Sequence, residues 1–309
     1  MRATTSILVI LGPTASGKSR LALGVAEDLG GEIVSADAFA VYRGMNIGTA
    51  TPLDVDQQRI PHHLIDILDP HETFSAGDFV IAADQAISEI REKGAKPIIV
   101  GGTHFYIRAL LSGLFPAPPQ NDEIRTRLAT EWDRDRGTVF ERLNRVDATA
   151  DARIGAADRQ RILRALEIQE ITGLPISSHW RNHPKTKRYN AVVVAPHRPR
   201  DELYARIDER VDRMFSAGLV DEVSQILASG TPRDSHALKA IGYREVVEVL
   251  EENWSVEEAI HHTKKATRRL AKRQLTWLRH HDQEMVHWVS PDECPGIDEI
   301  VSLVRTSAN

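Results

Sequence analysis

Eight residues near the start carry the most specific chemistry in the chain. Gly12-Pro13-Thr14-Ala15-Ser16-Gly17-Lys18-Ser19 fits G-x-x-x-x-G-K-[ST] at every fixed position. Glycines let a backbone wrap around phosphate oxygens, and amide N–H groups and the positive end of the following helix then face the anion. Lys18 adds a point charge, and Ser19 offers a hydroxyl to a Mg2+ ion. The pattern specifies a di- or triphosphate. The usual reading is an ATP-binding kinase or NTPase.

Asp37 is the second candidate. It follows the strand-like run Glu32-Ile33-Val34-Ser35, where open α/β sheets place their ligands. It suits a kinase orienting a hydroxyl, a base taking a proton from a nucleophile, or a simple helix cap. Tyr42 and Arg43 follow closely, and Arg43 can pair with an anion or with Asp37. A kinase often carries a further acid at the end of a later apolar strand. Here Ile98-Ile99-Val100 runs into Gly101-Gly102-Thr103, and Asp66 and Asp69 are weak substitutes. The loop is strong and the hydrolysis apparatus is not evident, so the phosphate reads as a leaving group to be held.

These residues need a frame. Ile7-Leu8-Val9-Ile10-Leu11 is a continuous apolar run, typical of a strand buried on both faces. Leu21–Leu29 has helical spacing. A helix is predicted over Phe79–Lys93, with Ile81, Ala82, Ile87 and Ile90 on its buried face. Pro97–Val100 and Ala191–Ala195 are further buried-type strands, and Glu284–Val289 is a short final one. This alternation implies an α/β fold with a parallel sheet. Phe115-Pro116-Ala117-Pro118-Pro119 is a stiff break, after which Asn121–Gly173 is helical and charge-rich. Arg181–Tyr189 is a basic loop, and Arg200–Asp282 is again mostly helical. The expected organisation is a P-loop NTPase-like parallel sheet flanked by helices, built from 1–115 and 190–309, with a helical insertion domain over 116–189.

Composition narrows the class. The chain has 309 residues, with 39 Lys+Arg against 44 Asp+Glu and a net charge of −5. At 41% hydrophobic and 27% charged it is an ordinary globular protein. The lone cysteine, Cys294, excludes an intrachain disulfide and any multi-cysteine metal site. No apolar run approaches the roughly 20 residues of a membrane span, and the first residues lack the layout of a signal peptide. A cytoplasmic setting is expected. The mild acidity argues against a nucleic-acid partner.

Taken in order, the motifs are those of one family. The phosphate loop is followed by Ser35-Ala36-Asp37 with Val41-Tyr42-Arg43, by Pro61-His62-His63-Leu64-Ile65-Asp66, and by Phe74-Ser75-Ala76. Val100-Gly101-Gly102-Thr103 with Tyr106 comes next, then Asp158-Arg159-Gln160-Arg161-Ile162 with Arg164-Ala165-Leu166-Glu167. Ala240-Ile241-Gly242-Tyr243-Arg244-Glu245 and Ala271-Lys272-Arg273-Gln274-Leu275-Thr276-Trp277-Leu278-Arg279 complete the set. The chain resembles the tRNA dimethylallyltransferases of the bacterial type.

The resemblance implies a reaction. Dimethylallyl diphosphate would give its five-carbon group to N6 of the adenine at tRNA position 37, beside the anticodon, releasing diphosphate. Asp37 would be the base. Lys18, the loop amides, Mg2+ and Arg210 would hold the diphosphate, with Thr14 and Thr103 near the reacting centre and Thr103 on the target base. tRNA contacts are implied at Asp37, Ala38, Phe39, Ala40, Arg125, Gln160, Arg161, Ile162, Leu163 and Arg164. The resemblance also suggests a monomer. Ala38 and Ala40 stand where the family commonly has Ser and Gln, and His104 where it often has Gly.

One helix revises the charge argument. Ser255–His281 places Val256, Ala259, Ile260, Ala266, Leu270, Trp277 and Leu278 on one face. Lys264, Lys265, Arg268, Lys272, Arg273 and Arg279 lie on the other, joined by His261, His262 and His280. No acid occurs between Ala259 and His281, so Lys264, Arg268 and Lys272 are expected on a phosphate backbone. Two other readings remain: a P-loop small-molecule kinase or free-adenine-nucleotide prenyltransferase, and a non-enzymatic RNA-binding P-loop protein. The insertion and the one-signed helix disfavour the former, and Asp37 with Thr103 the latter.

Overall fold

The computed structural model describes residues 6–183, 186–281 and 286–306, with the side chains of 280 and 281 excepted. Lys185 of the basic loop, the side chain of His280 and Glu284 of the predicted last strand lie outside the described residues. The chain divides into two compact units, Met1–Leu111 with Arg188–Asn309 and Ser112–Lys187.

The first unit is built on six parallel strands: β1 (Ser6–Leu11), β2 (Gly31–Ser35), β3 (His62–His63), β4 (Lys96–Gly101), β5 (Asn190–Pro196) and β6 (Val286–Val289). Their spatial order is β3-β2-β4-β1-β5-β6. The central residues of β1, β4 and β5 are apolar because both faces are covered. Ile7, Val9 and Leu11 of β1 face one cluster, and Leu8 and Ile10 the other. Helices α1 (Lys18–Leu29), α2 (Asp54–Arg59), α3 (Ala76–Glu92) and α4 (His104–Ser112) belong to this unit. Ser75 and Asp78 form a capping box that starts α3 at Ala76. Its buried stripe is then Phe79, Ala83, Ala86, Ile87 and Ile90. Ile81, expected inside, is 70% exposed. It lies about 200° round the helix from Phe79.

The second unit contains α5 (Asp122–Arg134), α6 (Arg136–Val146), α7 (Ala148–Asp151), α8 (Arg159–Thr172) and α9 (Ile176–Asn182). Asn121, Asp135, Asp147 and Asp158 cap successive helices with side-chain oxygens on backbone N–H groups. Leu128, Leu143, Ile162 and Leu166 form its core. Glu131 and Glu170 tie Arg127 to Arg142 beside it.

The first unit resumes with α10 (Arg200–Ser216), α11 (Leu219–Ala228), α12 (Tyr243–Leu250), α13 (Val256–His281) and α14 (Glu293–Thr306). The face of α13 differs from the simple apolar stripe expected. Its buried residues are Ala259, Thr263, Ala271, Gln274 and Leu278, while Val256 is 38% exposed. Two polar residues are thus inside, because this helix lines a cavity as well as a core. No helix among the described residues is long and apolar enough to cross a membrane.

Candidate functional site

The phosphate loop joins β1 to α1 at the carboxyl edge of the sheet. Gly17 caps α1 at φ 99, a left-handed conformation that a Cβ disfavours. Arg206 Nε donates to the Ala15 carbonyl at 3.1 Å, and Arg198 Nε to the Ser16 carbonyl at 3.4 Å. With those carbonyls drawn outward, the loop can turn its amides inward. Ser16 is fully buried, and its Oγ has no hydrogen-bond partner.

Gln274 of α13 closes the loop from the far side. Its Oε1 accepts the Thr14 N–H at 3.1 Å, and its Nε2 donates to the Gly102 carbonyl at 2.9 Å. The loop, the end of β4 and the long helix are therefore pinned together by one amide. Its only signal in the sequence is its place in the Ala271–Arg279 run.

Asp37 lies two residues beyond the end of β2. Its Oδ1 accepts the N–H groups of Phe39 at 2.9 Å and Ala40 at 3.3 Å. Its Oδ2 accepts no hydrogen bond from the described residues. The carboxylate is thus both the local cap and a group with one oxygen uncommitted. Thr103 buttresses the same segment. Its N–H donates to the Ala36 carbonyl at 3.3 Å, and its Oγ1 accepts the Ala38 N–H at 3.2 Å. Gly101 permits this approach, since a Cβ there would lie 2.1 Å from the Ala36 oxygen. Phe39 and Ala40 line the cavity described below, whereas Thr103 and Ala38, expected on the target base and the tRNA, are half-buried and do not. Phe39 stacks on His236, with centroids 5.5 Å apart.

Thr14, Lys18, Ser19, Asp37, Phe39, Ala40 and Arg210 line one cavity of about 1560 Å³. Burial and the neighbouring Arg210 cation push Lys18 down to about 8, against the opposing pull of Asp37. Burial also lowers Arg210, with Asp37 acting the other way. Two cations and one carboxylate thus share a desolvated space with an excess of positive charge. An anion of two or more charges would relieve it. Arg210 reaches this place because its Nη2 donates to the Thr49 carbonyl at 3.2 Å. The 46–49 stretch is anchored by Glu222, which accepts the N–H groups of Asn46 at 2.9 Å and Ile47 at 2.8 Å. Tyr243 donates to the same carboxylate at 2.6 Å. Nothing in local spacing marks Glu222 for this.

Other candidates divide. Arg43 pairs with Asp69 at 2.9 Å, not with Asp37. Lys264 pairs with Asp212 at 2.7 Å, and Arg268 with Asp208 at 2.5 Å. These two, expected on a phosphate backbone, face the acids of α10 instead. Lys265, Arg269 and Arg273 line the cavity and have no ion pair among the described residues. Arg269 and Arg273 also line an adjoining open groove with Lys272 and Trp277. Helical periodicity alone does not single out Arg269. Trp277 stacks on His104 at 4.8 Å. His104 is held down to about 4, first by burial and then by Lys18, so it is neutral near pH 7.

In the second unit, Gln160 and Arg161 are exposed. Arg125 is half-buried and bonded to Gln120. Arg164 is committed to Glu167 at 2.7 Å and to the Pro118 carbonyl at 2.7 Å. Ile162, expected to touch RNA, is fully buried in the unit's core and cannot do so. Leu163 packs against that core.

Comparison with known proteins agrees with this constellation. The family described as IPP transferase matches residues 40–281. The chain is 45% identical to tRNA dimethylallyltransferase 1 of Trichlorobacter lovleyi over 289 residues, covering 93% of this chain and 94% of that one. It is 46% identical to the tRNA dimethylallyltransferase of Geobacter sulfurreducens over 288 residues, 92% of each. Among solved structures, the tRNA isopentenylpyrophosphate transferase of Bacillus halodurans superposes with a TM-score of 0.71 at 36% identity, covering 98% of this chain and 95% of that one. A eukaryotic dimethylallyltransferase acting on tRNA shares the fold, with a TM-score of 0.82 at 24% identity over 96% of this chain and 77% of its own.

Proposed function

The chain belongs to the IPP transferase family, and from that premise we infer that it is a tRNA dimethylallyltransferase, moving the dimethylallyl group of dimethylallyl diphosphate to N6 of the adenine at tRNA position 37 and releasing diphosphate. The observation that carries this reading is the pair of half-buried cations, Lys18 and Arg210, beside a phosphate loop with one carboxylate, Asp37, in the same cavity.

Lys18, Arg210 and the amides of Gly17, Lys18 and Ser19 hold the diphosphate. They stabilise the charge that builds on it as the carbon–oxygen bond breaks. Asp37 takes the proton from the exocyclic amine as the carbon–nitrogen bond forms. That amine is a poor nucleophile, so the proton must leave in step. The amides on Oδ1 fix the carboxylate, and Oδ2 is the oxygen that acts. Thr103 accepts from Ala38 and so steadies the segment that carries Asp37. The adenine must leave its stack to enter.

A Mg2+ ion fits the residues present. Ser19 lines the cavity, and Ser16 Oγ is buried without a partner. No cluster of three acids or histidines exists among the described residues. Such a donor set suits an ion carried largely by diphosphate oxygens, with Ser19 as a protein ligand. When bound, Mg2+ would neutralise charge on the leaving diphosphate.

The anticodon stem-loop is read as the RNA partner, with Lys265, Arg269, Arg273 and Lys272 toward its backbone. Arg125, Gln160 and Arg161 of the helical unit are read as further contacts. The reading includes a monomer working in the cytoplasm. The test is transfer of label from dimethylallyl diphosphate to tRNA with Mg2+, followed by nucleoside analysis. Labelled AMP with untouched tRNA overturns the substrate assignment. Phosphoryl transfer from ATP overturns the reaction class.

A further inference from the structure

One end of the cavity carries aromatic rings that neither the phosphate chemistry nor the base at Asp37 uses. Trp254 lies over His262, with centroids 4.3 Å apart and planes within 22° of parallel. Both rings line the cavity that holds Lys18 and Asp37. Ring pairs of this size are often only packing, and three observations point beyond that.

The first is how rigidly Trp254 is presented. The turn before it is tied by Asn253 N–H and Trp254 N–H, both donating to the Glu248 carbonyl at 2.9 and 3.2 Å. Immediately after it, Ser255 N–H donates to Glu258 Oε2 at 2.8 Å, and Glu258 N–H to Ser255 Oγ at 3.2 Å. This reciprocal capping fixes the angle at which the chain enters α13. A ring held this way has little freedom left to lose when a ligand stacks on it.

The second is its surroundings. Lys265 and Arg269, one and two turns along, line the same cavity without an ion pair among the described residues. The third is Thr263, next to His262. It is 2% exposed, lines the cavity, and its Oγ1 has no hydrogen-bond partner. A flat aromatic face, uncommitted cations and an uncommitted hydroxyl together match an unstacked nucleobase with its phosphate.

We propose that Trp254 and His262 form a stacking platform for a second unpaired base of the anticodon loop, distinct from the adenine that is prenylated, with Lys265 and Arg269 on its phosphate and Thr263 on its edge. The proposal rests on the tRNA-modifying reading of the cavity. The platform acts in binding and register, so its loss weakens the RNA complex and leaves the chemical step alone.

The experiment uses the full chain with an anticodon stem-loop hairpin in which each loop base in turn is replaced by 2-aminopurine. At one loop position other than the target, the fluorescence should fall on binding wild-type protein. Trp254→Ala should abolish that quench and raise the KM for the hairpin about tenfold or more. The kcat and the affinity for dimethylallyl diphosphate should stay within about twofold. Trp254→Phe should restore most of the quench, and the exposed His262→Ala should lose part of it without loss of thermal stability. An unchanged KM and quench in both alanine variants overturns the platform and returns the rings to a structural staple. Wild-type protein that neither binds nor modifies the hairpin overturns the functional reading itself.

Discussion

Gln274 Oε1 accepts the backbone N–H of Thr14 across 260 positions of sequence, at 3.1 Å. The same amide's Nε2 holds the Gly102 carbonyl, so the long C-terminal helix fixes the distance between the phosphate loop and the strand end carrying Thr103. Gln274→Ala leaves both backbone groups unpaired in a largely buried setting, at a cost of about 1–3 kcal/mol each before relaxation. Thermal unfolding should fall by several degrees, and calorimetry should show donor affinity weakened about tenfold. Gln274→Glu keeps the acceptor for Thr14 but sets an oxygen against the Gly102 carbonyl. It should therefore be no better than alanine. Full donor affinity in both variants removes Gln274 from the loop's support.

Asp37→Asn keeps an oxygen for the Phe39 and Ala40 amides and removes the base. Turnover should drop about a hundredfold to ten-thousandfold, with the affinity for dimethylallyl diphosphate near the wild-type value. Single-turnover kinetics at saturating donor measures this. Near-normal turnover would assign Asp37 to capping alone.

Donor binding should depend on pH through Lys18, which sits at about 8 in the free protein. Below that pH the ammonium is charged and attracts diphosphate. Above it the charge is lost, and affinity should fall by up to about tenfold per pH unit. Binding at about pH 9 should take up close to one proton, and at about pH 7 close to none. Calorimetry in buffers of different ionisation enthalpy counts these protons. The effect on folding has the opposite sign. The unfolded chain holds this proton up to 10.5, so the free protein gains stability from this group as pH rises from about 8.

The basic residues of α13 should separate into two behaviours. Replacing Lys265, Arg269 and Arg273 together by alanine should raise the tRNA KM and reduce the log–log salt slope by about 2–3. Replacing Lys264 and Arg268 breaks ion pairs to Asp212 and Asp208 and should alter stability by about 1 kcal/mol with the slope nearly unchanged. The slope, measured by filter binding from low to moderate salt, decides between the groups. Equal slopes for the wild type and the triple cavity-lining variant would make the basic face a solvated surface.

Much was legible before folding because it is local. The phosphate loop is eight consecutive residues between a strand and a helix, and the backbone of Gly12–Ser19 performs its task wherever that context occurs. Asp37 was legible as a strand-end acid for the same reason. Continuous apolar runs announced the buried parallel sheet. The net charge of −5 misled, because a sum over the chain says nothing of where charges gather.

Other choices belonged to tertiary structure alone. Periodicity put Lys264, Lys265, Arg268 and Arg273 on one charged face. It could not say that Asp208 and Asp212, over fifty positions away, claim two of them and leave the others to the cavity. Ile162 carried a family motif, yet the core of its helical unit needed an apolar side chain there. Glu222 and Trp254 have no local signature, and Gln274 has only its place in a motif run, since each matters for the backbone or ring that a distant segment brings to it. A motif can specify a group and its immediate neighbours. Which partner neutralises it, which solvent it loses and which cavity it faces are set by packing between segments far apart in the chain.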